Sequence, residues 1–253
     1  PALRPGRVDE PTVEPDVDIR GLDPDIKREL SSLAPAVADR AAGHLLMTAR
    51  LIDDDPERAY AHAQVVRRLA GRLAISRETM GLAAYRNQQW AEALSELRAA
   101  RRMTGVPDYL PMIADCERGL GRPERAIAAL NEPDAARLDR SGKIELRIVA
   151  AGARRDMGQA PAAVAALQGR DLDDENVYDW TARLRYAYAD ALLEVGRRDD
   201  AIRWFQAAAE VDGTQQTDAE ERLAELGVHE PAEFDVLASW DEEDDAIAPE
   251  DER

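Results

Sequence analysis

Few residues in this chain are of the types that carry covalent or metal chemistry, and their spacing gives them little to do. The single cysteine, Cys116, is flanked by Asp115 and Glu117. A reactive thiolate needs a cation beside it, so two neighbouring carboxylates argue for a small buried residue instead. One cysteine also excludes an internal disulfide and a cysteine-rich metal box. The three histidines, His44, His62 and His229, are scattered without metal-ligand spacing. His44 and His62, 18 residues apart, could face each other across a helix pair, with ordinary packing or exposure as the expectation. Asp173-Asp174-Glu175 could hold a cation weakly but lacks the spacing of a calcium loop. There is no phosphate-cradling glycine loop and no Ser/His/Asp set at recognisable spacing. No catalytic, cofactor-binding or metal-ligating residue is therefore assigned, and the expectation is a protein that is not an enzyme and needs no cofactor.

Charge is the stronger chemical signal. The 253 residues carry a formal net charge of −18, and 31 of the 33 basic residues are arginine. A GC-rich genome is the plainer explanation of that bias; selection for bidentate contacts to carboxylate or phosphate is the sharper one. Residues 228–253 hold eleven acids and one arginine, net −10, and residues 1–22 are net −2, which leaves −6 on the body. A nonspecific nucleic-acid binder has the opposite balance. Arginine clusters at Arg67-Arg68 with Arg72, Arg98 with Arg101-Arg102, Arg118–Arg125 and Arg154-Arg155 could still align as a basic ridge. Most sit near expected helix C-termini, where they complement the dipole. If they align, the acidic stretch Asp241–Asp251 could fold back on them and gate RNA, DNA or ribosome binding.

The elements that position these residues are written as a repeat. Gly121–Leu130, GRPERAIAAL, returns as GQAPAAVAAL at Gly158–Leu167 and as GRRDDAIRWF at Gly196–Phe205. Looser copies are QQWAEALSEL at Gln88–Leu97 and DDPERAYAHA at Asp54–Ala63. Each is a turn followed by the start of an amphipathic helix, with alanine in the sixth place. Those alanines, Ala59, Ala93, Ala126, Ala163 and Ala201, are 34, 33, 37 and 38 residues apart, a period that signifies a repeat array. The leading glycines suit the left-handed residue that ends a helix; Gln88 and Asp54 do not, so those two turns are expected to differ. Scarce aromatics, abundant alanine and leucine, and no alternating strand pattern predict an all-α fold.

The repeat resembles the tetratricopeptide repeat (TPR) family. In the second unit Gly81, Trp90, Ala93, Leu97 and Ala100 stand at that family's signature places, and in the last unit Ala189, Gly196, Ala201, Phe205 and Ala208 do so. The likeness covers roughly residues 36–226 and implies a right-handed α-solenoid of about five helix pairs with a C-terminal capping helix. It further implies that the first helix of each pair lines a concave groove that binds a protein or peptide. The carboxylate-clamp places of the best-known members carry His44 and Thr48, Glu78 and Leu82, Pro111 and Asp115, Ile148 and Gly152, Tyr186 and Asp190, so that clamp is absent. Candidate groove residues are Tyr85, Arg86, Asp115, Arg118, Arg155, Asp156, Arg183, Tyr186 and Asp190, whose mixed signs suit a polar, partly extended peptide.

The expected organisation is a disordered leader over 1–22, a helical repeat domain over 23–227 and an acidic disordered tail over 228–253. No apolar run approaches the roughly 20 residues that cross a bilayer, and the first residues lack the apolar centre of a signal peptide. A cytoplasmic protein–protein scaffold is the expectation, with no membrane partner. A nucleic-acid regulator is the alternative, and self-association through an exposed repeat face is a third reading.

Overall fold

The computed structural model describes residues 10–228 of the chain. Among these residues it is helical throughout, with no strand. After α1 (Pro24–Leu30) come α2 (Pro35–Leu51), α3 (Pro56–Leu69), α4 (Ala74–Arg86) and α5 (Trp90–Thr104). Then follow α6 (Leu110–Gly119), α7 (Pro123–Ala128), α8 (Pro133–Arg137), α9 (Arg140–Asp156) and α10 (Ala160–Leu167). The last are α11 (Thr181–Glu194), α12 (Arg198–Ala209) and α13 (Ala219–Glu225). Each packs mainly on its neighbours in sequence: α2 on α3, α4 on α5, α6 on α7, α9 on α10, α11 on α12. Several helices begin with proline in the first turn, as Pro24, Pro35, Pro56, Pro123 and Pro133 do, where the missing N–H costs nothing. Asp23 and Asp55 cap two of these starts through their side chains, and Asp139 caps the start of α9 in the same way.

The sixth-place alanines all lie in the core. Ala59, Ala93, Ala126, Ala163 and Ala201 are each 0% exposed, so no larger side chain has room there. Leu97, Leu167 and Phe205, four residues further on, are also 0% exposed, and Leu130 is half-buried. On the partner helix Gly81 does the complementary job. A Cβ there would stand 2.8 Å from Cδ2 of the buried Leu97 and 3.2 Å from its backbone nitrogen. Gly119 meets Trp90 in the same way, at 2.7 Å from the indole Cδ2, so the tryptophan of the second unit lies flat on α6.

The turns share one closing geometry. Gly121, Gly158 and Gly196 have φ of +72°, +71° and +78°, and the next N–H bonds to the carbonyl five residues back. Gln88, expected to differ, does the same at φ +57°, with Gln89 N–H donating to the Ala84 carbonyl over 2.8 Å. The hydrogen-bond demand of the helix end outweighs the preference of the residue. The turn at Asp54 has no positive φ and follows a different course.

The expected leader is a correction. Residues 10–22 lie packed along α2 and α3. Val13 and Val17 rest on Met47, Leu51 and Ala59, and Val13 comes close enough to Gly43 that a Cβ there would meet it at 3.2 Å. Glu14 and Asp16 hold Arg50 at 2.8 and 2.7 Å, and Leu22 is buried. Proline and acid content suggested disorder, but alternate valines gave the segment an apolar face. Residues 1–9 and the acidic stretch from 229 onward lie outside the described residues. Near the C-terminus α13 seats Ala219 and Leu223 in the core of α11 and α12.

Two stability changes follow. Gly81→Ala gains about 1 kcal/mol of helix propensity and loses about 1–3 kcal/mol by overpacking against Leu97. A lower urea midpoint is the expected result. Gln88→Gly removes the cost of roughly 1–2 kcal/mol that a left-handed L-residue carries, and should raise the midpoint.

Candidate interaction groove

Two clefts run along the first helices of the pairs. One, of about 600 Å³, is walled by Leu82, Tyr85 and Arg86 of α4, Pro111 and Met112 of α6, Glu145 and Val149 of α9, and Arg183 of α11. The other, of about 770 Å³, is walled by Ile148, Ala151 and Arg155 of α9, Tyr186 and Asp190 of α11, and the 212–221 segment entering α13. Arg183 borders both, so the two clefts are neighbours. Apart from Ala209, the second helices α3, α5, α7, α10 and α12 contribute nothing to either lining.

The structure joins the nine candidate residues in contacts most of which cross from one unit to the next; seven of them line the clefts, and Asp115 and Asp156 stand outside both linings as partners of residues that do. Arg86 on α4 holds Asp53, just past α2, at 3.0 Å. The Tyr85 hydroxyl donates to Asp115 on α6 over 2.6 Å. Arg118 on α6 reaches Asp156 at the end of α9 at 2.6 Å and also Asp115 at 3.3 Å. Arg155 on α9 grips Asp190 and Glu194 of α11, both at 2.6 Å. Asp190 receives Arg222 of α13 at 3.3 Å, and Arg183 holds Glu145 at 2.6 Å. Tyr186 sets its ring edge-on to Phe205 at 5.3 Å.

Burial and the neighbouring carboxylates push the Tyr85 hydroxyl far above its ordinary range: burial is the main cause and Asp115 adds to it. Tyr186 is raised in the same way by burial, by its hydrogen bond to Asp218 and by Asp190. Both phenols are neutral donors, suited to binding and not to proton transfer. Burial also raises Glu145, against the opposing pull of Arg183.

Glu145, Glu194 and Arg222 were not among the sequence-derived candidates. A usable signal existed. Tyr85–Asp115, Arg118–Asp156, Arg155–Asp190 and Arg183–Glu145 are separated by 30, 38, 35 and 38 residues, close to the repeat period. Opposite polar partners one period apart are what a stack of repeats places side by side.

Most of the clustered arginines are held by carboxylates, while Arg72, Arg102 and Arg154 make no ion pair among the described residues. Arg67 is held by Glu96, Arg68 by Glu10, and Arg101 by Glu132 and Asp134. Arg98, Arg122 and Arg125 converge on Glu117, itself only 2% exposed. Cys116 is fully buried, and burial with Asp115 and Glu117 pushes its thiol up to about 12. Asp174 of the 173–175 carboxylates is taken by Arg140 at 2.6 Å. Among the described residues no three His, Cys, Asp or Glu side chains converge as metal ligands, and no helix is long and apolar enough to cross a membrane.

His44 and His62 do face each other, against the expectation of ordinary packing. Their Nδ1 atoms are 2.8 Å apart and both rings are buried. Glu10 lies 3.1 Å from His44 Nε2. His44 Nε2–H donates to the Glu10 carboxylate, so His44 Nδ1 accepts from His62 Nδ1–H, and His62 Nε2 is left buried without a partner. Burial, then His44 and Arg58, hold His62 down at about 4, with Glu14 opposing. His44 is lowered by burial, against Glu10, with Arg40 and Arg68 assisting.

Compared with known proteins, the sequence matches no family model and resembles no curated relative.

The histidine pair yields a pH prediction. Both folded-state values lie below the unfolded value of about 6.5, so the unfolded chain binds more protons between about 6.5 and 4. Their contribution to stability is complete above that window and is lost as the pH falls through it, at up to roughly 1.4 kcal/mol per pH unit per ring. Urea midpoints at pH 7.5 and 5.0 should differ in that direction. His62→Gln should shrink the difference while lowering stability at pH 7.5.

Proposed function

We propose that this protein is a non-enzymatic scaffold that binds a peptide segment of another protein. The binding surface in this reading is the groove along α4, α6, α9, α11 and α13, the inner face of a tetratricopeptide-like array. The observation that carries it is the origin of the lining: of the paired helices, the first helices wall both clefts, joined in the larger one by the 212–221 segment, while the second helices contribute only Ala209 and carry the buried alanines. That division of labour leaves one face free to vary. Protein-binding grooves combine apolar walls with a few fixed polar groups. Here Leu82, Pro111, Met112 and Val149 alternate with charged side chains whose positions are held by ladder contacts. The nucleic-acid alternative gains nothing from the arginine clusters, since their guanidinium groups are largely occupied by carboxylates.

A photo-crosslinking amino acid at Ile148 in the groove, compared with one at Ile202 on α12, tests the reading in the native host extract. Adducts are expected from the Ile148 site. Adducts formed only from the Ile202 site would move the binding surface to the other face.

A further inference from the structure

We propose that the groove selects a cationic partner: an extended peptide segment in which lysine or arginine side chains stand between apolar ones. This rests on the groove reading above and adds the chemistry of what enters it. The two clefts together are lined by four arginines and eight carboxylates. All four arginines are already occupied. Arg86 is held by Asp53, Arg118 by Asp115 and Asp156, Arg155 by Asp190 and Glu194, and Arg183 by Glu145. Four of these carboxylate partners, Asp53, Asp115, Asp156 and Glu194, come from outside the lining, which deepens the local negative charge. On the acidic side Asp108, Glu220 and Glu221 make no ion pair among the described residues, and Asp218 takes only a hydrogen bond from Tyr186.

An anionic ligand would therefore meet no free guanidinium and would have to break an inter-unit pair to gain one. A cationic ligand meets carboxylates that need nothing displaced. Like charge placed against the surplus acids costs affinity, and opposite charge speeds association, which is how charge complementarity sets specificity. The apolar walls, Leu82, Pro111, Met112 and Val149 in one cleft and Ile148, Ala151 and Ala187 in the other, give the intervening side chains their place. Two neighbouring clefts that share Arg183 suit an extended strand, which can set side chains into both, better than a compact helix.

The test uses the full chain and three fluorescent ten-residue probes: alternating Lys-Leu, alternating Glu-Leu and alternating Ser-Leu, followed by anisotropy. The Lys-Leu probe should bind at least about tenfold more tightly than the Glu-Leu probe, with the difference shrinking as salt is raised. The double variant Glu220→Gln/Glu221→Gln should weaken Lys-Leu binding several-fold. Asp244→Asn/Asp245→Asn, which removes as much charge from the acidic stretch beyond the groove, should not. If the tail variant weakens binding and the groove variant does not, the cation is attracted elsewhere and the inference falls. Gln216→Trp and Ala187→Trp, which fill the larger cleft, separate the two levels of the argument; Gln216 is exposed, so its variant retains the fold if the other does not. If either filled cleft blocks all three probes, but the Glu-Leu and Ser-Leu probes bind the unaltered chain as tightly as Lys-Leu, the groove stands and the cationic preference is overturned. If neither filled cleft alters binding of any probe, the groove reading itself is lost.

Discussion

Where a second helix meets its partner, the chain leaves space for a methyl group and nothing larger. Ala59, Ala93, Ala126, Ala163 and Ala201 are all fully buried, and Gly81 brings α4 so near α5 that Leu97 fills the space a side chain would take. Close-packed interiors tolerate little change in volume at such places. Everything else depends on that closeness. It orients each first helix with its far side outward, and the residues lining the clefts all project from there.

The two faces are held by different forces. The alanine face is held by apolar burial, which is not directional and falls little with salt. The groove edge is held by a chain of polar links, one per step: Arg86 to Asp53, Tyr85 to Asp115, Arg118 to Asp156, Arg155 to Asp190, Asp190 to Arg222. Surface pairs of this kind contribute about 0.2–1 kcal/mol each, so they set register between units more than they hold the fold together.

Much of this was readable beforehand because the period was. The alanines are buried as their spacing requires, and a helix starts within each of the five repeated stretches. The misses have physical reasons. Helix α11 starts only at Thr181 because Tyr178 and Trp180 stack together beneath Arg140 and the Tyr178 N–H donates to the Thr181 hydroxyl, a start that composition does not signal. Residues 10–22 read as disordered by composition, yet Val13, Val17 and Leu22 pack. Gln88 adopts a glycine's backbone because the end of α4 needs its carbonyls closed. Groove residues could be nominated from their helix positions, but their pairing across units needed the stack itself. The buried histidine contact depends on Glu10, whose segment the composition had written off.

The arginines carry one more consequence. Arg50 joins Glu14 and Asp16, Arg101 joins Glu132 and Asp134, Arg140 joins Asp171 and Asp174, and Arg155 joins Asp190 and Glu194. In each case a planar fork lets two acids lie near one another, which a compact ammonium group does less well. Replacing such an arginine by lysine would keep the net charge and still release one carboxylate against its neighbour. At these four places the arginine and its two acids therefore act as one unit, and altering any one of the three changes the charge environment of the other two.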